Sequence, residues 1–107
     1  MAKDFATKVY AVTAKFPRHE DYGLKCQLNR AVNSISLNIA EGTAKNSNKA
    51  FDHHLEIALG SVFEVVAASY LAMDRAYITK DQQEGLYSDG ERLSKSINAF
   101  RNTLLLS

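Results

Sequence analysis

Apolar residues recur along this chain at spacings of three and four, and no stretch alternates with the two-residue period of a strand. That pattern confines the chain to helices sharing a core. Phe5, Val9, Val12 and Phe16 mark a first helix, and Pro17 predicts its end by steric conflict with the preceding residue. Leu24, Leu28, Ala31, Ile35 and Ile39 form the seam of a second, with Gly42 placed to be its left-handed terminal residue. The third starts after Asn46 or Ser47, whose side chains can accept from first-turn amides, and runs along Phe51, Leu55, Ala58, Val62, Val66 and Met73. Thr79 and Gln82 have the spacing of a reciprocal capping box, which opens a fourth helix with Leu86, Leu93, Ile97, Phe100 and Leu104 inward. Connections this short make sequence neighbours antiparallel. The expected fold is all-α, an antiparallel up-down-up-down four-helix bundle in which residues 1–107 are a single domain.

Thirteen Lys and Arg against twelve Asp and Glu leave a net charge of +1, so no global field draws in nucleic acid or acidic lipid. Any basic surface must be local. Residues 1–45 carry seven basic and four acidic side chains, whereas residues 46–77 carry two and four. The lone cysteine, Cys26, has no partner for an intramolecular disulfide, and MAKDFATKVY lacks the apolar centre of a signal peptide; both point to a reducing cytoplasm. The chain is largely apolar from Ile57 to Met73, near the lower limit for a membrane span, but Gly60, Ser61 and Ser69 interrupt the run. Glu64 near its middle costs about 2.5–3.5 kcal/mol in a bilayer, which favours a buried helix and no membrane partner.

The third helix is more apolar than one bundle core requires. At about 100° per residue, Ile57, Phe63, Ala67, Ala68 and Leu71 fall well away from its seam. A helix apolar nearly all round expects burial on several sides, so this excess reads as an interface with further copies of the chain.

Arg30, Ser34, Asn38 and Glu41, spaced four, four and three, lie along one edge of the second helix beside its seam. Two readings fit this edge. One is a ligand or nucleic-acid contact; the other is a hydrogen-bonded network reaching Ser61 or Glu64 on the neighbouring helix. His53 and His54 are adjacent and point about 100° apart, so they cannot ligate one metal from a single face and read as solvated histidines. No Glu precedes a His by three residues, as a di-iron bundle needs, and Cys26 has only the loop residue His19 as a candidate base. Phosphate-cradling glycine loops and the serine-hydrolase elbow are absent. The expectation is a non-enzyme with no metal, no cofactor and no small-molecule substrate. Candidate nucleic-acid contacts are Lys8, Lys15, Arg18, Lys25, Arg30, Lys45 and Lys49, a modest set that repetition in an oligomer would multiply.

The run FPRHEDYGLKCQLNRAVNSISLNIAEG from Phe16 to Gly42, followed by ALGSVFE from Ala58 to Glu64, resembles the bacterial four-helix-bundle proteins encoded in 23S rRNA intervening sequences. The likeness spans nearly the whole chain and is most specific at Tyr22-Gly23-Leu24, Gln27, Arg30-Ala31, Ser34-Ile35, Asn38 to Gly42, Gly60-Ser61 and Glu64. That family is similar to the accessory variability protein of diversity-generating retroelements. The resemblance implies a ring-shaped homopentamer that binds nucleic acid and a reverse transcriptase. The leading expectation is therefore a non-catalytic homo-oligomer that binds RNA or an RNA-processing partner. A protein-interaction scaffold with no nucleic-acid role is the alternative.

Overall fold

The computed structural model describes residues 1–106 and folds them into four helices: α1 (Ala2–Thr13), α2 (Leu24–Thr43), α3 (Asn48–Asp74) and α4 (Lys80–Leu106). A short 3-10 turn, Arg18–Glu20, lies between α1 and α2, and no strand occurs among the described residues. Each helix packs on its sequence neighbours and α1 closes the ring against α4, which makes an up-down-up-down bundle about 46 Å long. Phe5 and Val9 of α1, Leu28, Val32 and Ile35 of α2, Leu55, Val62 and Val65 of α3, and Leu86, Leu93 and Ile97 of α4 meet in one core.

Local chemistry sets most helix ends. Ser47 Oγ accepts from the Ala50 amide at 3.1 Å and starts α3. Thr79 Oγ1 accepts from the Gln82 amide at 3.1 Å while Gln82 Oε1 accepts from the Thr79 amide at 2.8 Å, completing the capping box that opens α4. Two ends differ from the sequence expectation. Helix α1 stops at Thr13 rather than at Pro17, because the Lys15 and Phe16 amides reach back only three residues, to Val12 and Thr13, and tighten the chain ahead of the proline. Gly42 is helical, with no left-handed glycine among the described residues, and it is buried against α3. A Cβ there would lie 2.7 Å from Phe51 Cδ1 and 3.1 Å from His54 Cβ, so the glycine serves close helix packing instead of termination.

The inward face of α3 is also wider than its seam suggests. Val65, Ala68, Ser69 and Ala72 are buried alongside Leu55, Ala58 and Val62. Ala68, assigned to the outer face from its angle to Val66 and Met73, is buried because it lies about 40° from Ala72 and about 60° from Val65 around the helix, on the face that the core covers. Phe100, assigned to the α4 seam, is 46% exposed. It stacks edge-on against Phe51, with ring centroids 5.3 Å apart. Here the short α1 supplies only Met1 and Ala2, which leaves an apolar trough of about 390 Å³ between them and Ile39, Phe51, Leu55, Leu93 and Ile97.

Charged groups tie the helices across the core's rim. Arg101 of α4 donates from Nε to Asp52 at 2.8 Å and from a second nitrogen to Glu56 at 3.3 Å. Its first hydrogen bond holds the Asp52 carboxyl below the usual aspartate range. At the opposite end Glu20 is buried and joins three segments. Its Oε1 accepts from the Leu24 amide at 3.0 Å and so caps α2, while Oε2 accepts from Arg75 at 2.8 Å and from the Tyr77 hydroxyl at 2.7 Å. The Leu24 amide, then Tyr77, lower the Glu20 pKa from its ordinary 4.5.

Arg75 and Tyr77 flank the end of α3, where Ala76 has φ 61°. The Ala76 amide donates to Met73 O and the Tyr77 amide to Ala72 O, both at 2.9 Å, the paired bonds of a Schellman motif. An L-residue in this left-handed position costs about 1–2 kcal/mol, part of which glycine would return in unfolded-state entropy. Ala76→Gly is therefore expected to raise stability by about 0.5–1 kcal/mol, read as a higher urea midpoint at unchanged slope. Because the Glu20 pKa is lowered on folding, its contribution is present above pH 4.5 and is lost as pH falls through the lowered value. Thermal melts of Glu20→Gln should thus fall below wild type at neutral pH and converge with it in acid; a pH-independent gap would contradict this.

Candidate functional site

The polar edge of α2 meets α3 in two distinct ways. In its middle it forms a network. Ser61 Oγ of α3 donates to Ser34 Oγ at 2.9 Å, and the Asn38 amide nitrogen donates to Ser34 O at 2.9 Å and Ser34 Oγ at 3.1 Å. With its nitrogen so engaged, Asn38 turns its carbonyl oxygen to His54 Nδ1 at 3.1 Å, which fixes the proton on that ring nitrogen. Glu41 Oε2 lies 3.9 Å from the same nitrogen. Four of the six residues expected in the network, Ser34, Asn38, Glu41 and Ser61, are thus gathered, and His54 joins them. Read as a solvated histidine from sequence, His54 has a largely buried side chain because Gly42 lets α2 and α3 approach beside it.

Arg30 and Glu64 stay outside that network. They line a groove of about 650 Å³ between the first half of α2 and the middle of α3, together with Tyr22, Gly23, Cys26, Gln27, Ser34 and Ser61. Among the described residues neither charge is paired, with the other or with any further side chain. Tyr22 stands at this groove 98% exposed, its hydroxyl without a partner among the described residues. Positional patterning on α2 could not place Tyr22, which precedes the helix, although it belongs to the run that carries the family likeness.

The outer face of α3 is apolar and open. Ile57, Ala67 and Leu71 lie along it with Gly60 and Glu64 between them, at spacings of three and four, and Phe63 and Tyr70 flank this stripe. Phe63 is 58% exposed and Leu71 44%. A Cβ added at Gly60 would meet nothing within 4 Å.

The seven candidate cations do not form one patch. Lys15, Arg18 and Lys25 lie where α1 meets α2, and Lys45 and Lys49 at the opposite end; at about 1.5 Å per residue α2 separates the groups by roughly 27 Å. Lys8 pairs with Asp89 on α4, and Lys25 with Asp21 at 3.7 Å. Lys15, Arg18, Arg30, Lys45 and Lys49 carry no partner among the described residues. Among the described residues no group of three or more His, Cys, Asp or Glu side chains could hold a metal ion.

The family model described as 23S rRNA-intervening sequence protein matches residues 1–99. The chain belongs to that family. Among solved structures, a protein of unknown function from the S23 ribosomal protein family of Bacteroides thetaiotaomicron VPI-5482 superposes with a TM-score of 0.85 at 24% identity, over 94% of each chain. That likeness is one of fold. No curated protein matches. Several residues by which this chain resembles the 23S rRNA-intervening sequence proteins, Tyr22, Gly23, Gln27, Arg30, Ala31, Ser34, Ser61 and Glu64, line the one groove.

Removing the centre of the network tests its structural weight. Asn38→Ala removes the hydrogen-bond acceptor of His54 Nδ1 and one of the two donors to Ser34 Oγ, and is expected to cost about 1–3 kcal/mol in urea unfolding. An unchanged midpoint would show that the network is replaced by water without loss.

Proposed function

We propose that the protein is a non-catalytic cytoplasmic subunit of a homo-oligomer, a ring of five copies, that binds RNA or an RNA-processing partner. The outer face of α3 carries this reading. Exposed Ile57, Phe63, Ala67 and Leu71 would bury apolar area against a second copy, as the core of a subunit interface does. Gly60 adds an independent argument. A glycine inside an exposed helix costs about 1 kcal/mol relative to alanine, and nothing within the subunit approaches it to make that cost useful. A helix of another copy crossing at short distance would.

For RNA, the support is the unpaired cations Lys15 and Arg18, which closed symmetry would repeat around one end of the ring. One observation favours the alternative, a scaffold without a nucleic-acid role: the cations are divided between two ends, and Lys8 and Lys25 are neutralised within the subunit.

Light scattering on the purified protein is expected to give a multiple of the subunit mass, and Ile57→Glu with Leu71→Glu to give a folded monomer by circular dichroism. Gly60→Leu should dissociate the assembly, whereas Gly85→Ala, equally open but on α4, should leave it intact. A stable wild-type monomer would overturn the assembly reading. Labelled mixed-sequence RNA should bind at low salt and weaken steeply, by tenfold or more, between about 50 and 200 mM; absence of binding at any salt would leave the scaffold.

A further inference from the structure

We infer that the α2–α3 groove holds an unpaired nucleotide of single-stranded RNA, with Tyr22 as the stacking surface and Arg30 as the phosphate contact. This deepens the RNA reading above and rests on it. A single exposed aromatic needs no special cause. Tyr22 differs in its setting: it is 98% exposed at the lip of a groove whose volume, about 650 Å³, lies within the range of small-ligand pockets. The groove's two charges, Arg30 and Glu64, are both unpaired among the described residues.

The chemistry of these groups selects the ligand. An open phenol ring offers a face on which an unstacked base can lie, which a duplex does not supply. Arg30, with five donors and no internal acceptor, suits the phosphate that follows such a base. Glu64 repels phosphate but accepts from an exocyclic amino group, while Gln27, Ser34 and Ser61 supply mixed donors and acceptors for a base edge. Adenine and cytosine carry that amino group where uracil carries a carbonyl. The groove is therefore selective for amino-bearing bases over uracil.

The test uses the full-length protein and fluorescein-labelled 12-nucleotide single strands of adenylate or uridylate at low salt, read by anisotropy. Adenylate is expected to bind more tightly. Tyr22→Ala should weaken adenylate binding roughly tenfold, while Tyr22→Phe retains it. Arg30→Ala should weaken it and lower the salt slope by about one. Glu64→Gln should narrow the adenylate-over-uridylate preference. Melting and light scattering on each variant establish that fold and assembly persist. Wild-type affinity in Tyr22→Ala, with loss on changing Lys15 and Arg18, would overturn the groove and keep the RNA reading. No binding of any RNA would overturn both. Dissociation of the oligomer by Tyr22→Ala or Arg30→Ala would make the groove a contact between copies and overturn the inference.

Discussion

Close packing of α2 against α3 is the contact on which the rest of this molecule depends. It is permitted by small side chains: Gly42 beneath Phe51, and Ser34 facing Ser61. Their modest volume lets two long helices approach until polar groups on each reach hydrogen-bond distance. An edge that would be wet on an isolated helix becomes a network in its middle and a groove toward the start of α2. Larger residues at these positions would separate the helices and leave His54, Asn38 and Ser34 to water.

The charged residues divide by the same geometry. Those that join elements, Arg101 with Asp52 and Glu56, Arg75 with Glu20, and Lys8 with Asp89, bridge segments distant in sequence. They orient the helices around the core and are not free for a partner. Lys3, Asp4, Lys15, Arg18, Arg30, Lys45, Lys49, Glu64, Asp74 and Asp81 make no ion pair among the described residues; Arg30 and Glu64 line the groove and the others lie at the two ends of the bundle. Near-neutral overall charge thus conceals a separation between charge engaged in the fold and charge available for recognition.

Features governed by nearby residues were legible in the sequence. The Thr79–Gln82 capping box, the Ser47 cap and the seam from Leu24 to Ile35 each depend on residues within a few turns of one another, so spacing alone reports them. Gly42 is ambiguous in the sequence, because a glycine near a helix end suits either termination or close packing, and only the position of Phe51 decides between them. Glu20 gives no local signal at all. It sits in a polar run that looks like a loop, and its partners Arg75 and Tyr77 lie more than fifty residues away. His54 was hidden likewise by a contact sixteen residues distant, across a helix connection. The groove showed itself in part, through Arg30, Ser34, Ser61 and Glu64, while Tyr22 precedes any helical period that could have assigned it a face.

The brevity of α1 has a consequence for how this bundle opens. With 12 residues against 27 in α4, it contributes Phe5, Val9 and Thr13 to the buried set and leaves the apolar trough uncovered beyond its first turn. Helices α2, α3 and α4 follow one another as two antiparallel hairpins, so most of their contacts are local in the chain and form early and quickly. Helix α1 brings three buried residues to that trio, against six or seven in each of the other helices. Its amides are therefore expected to exchange with solvent through a lower-energy local opening than theirs, as a fourth helix detaching from a three-helix unit.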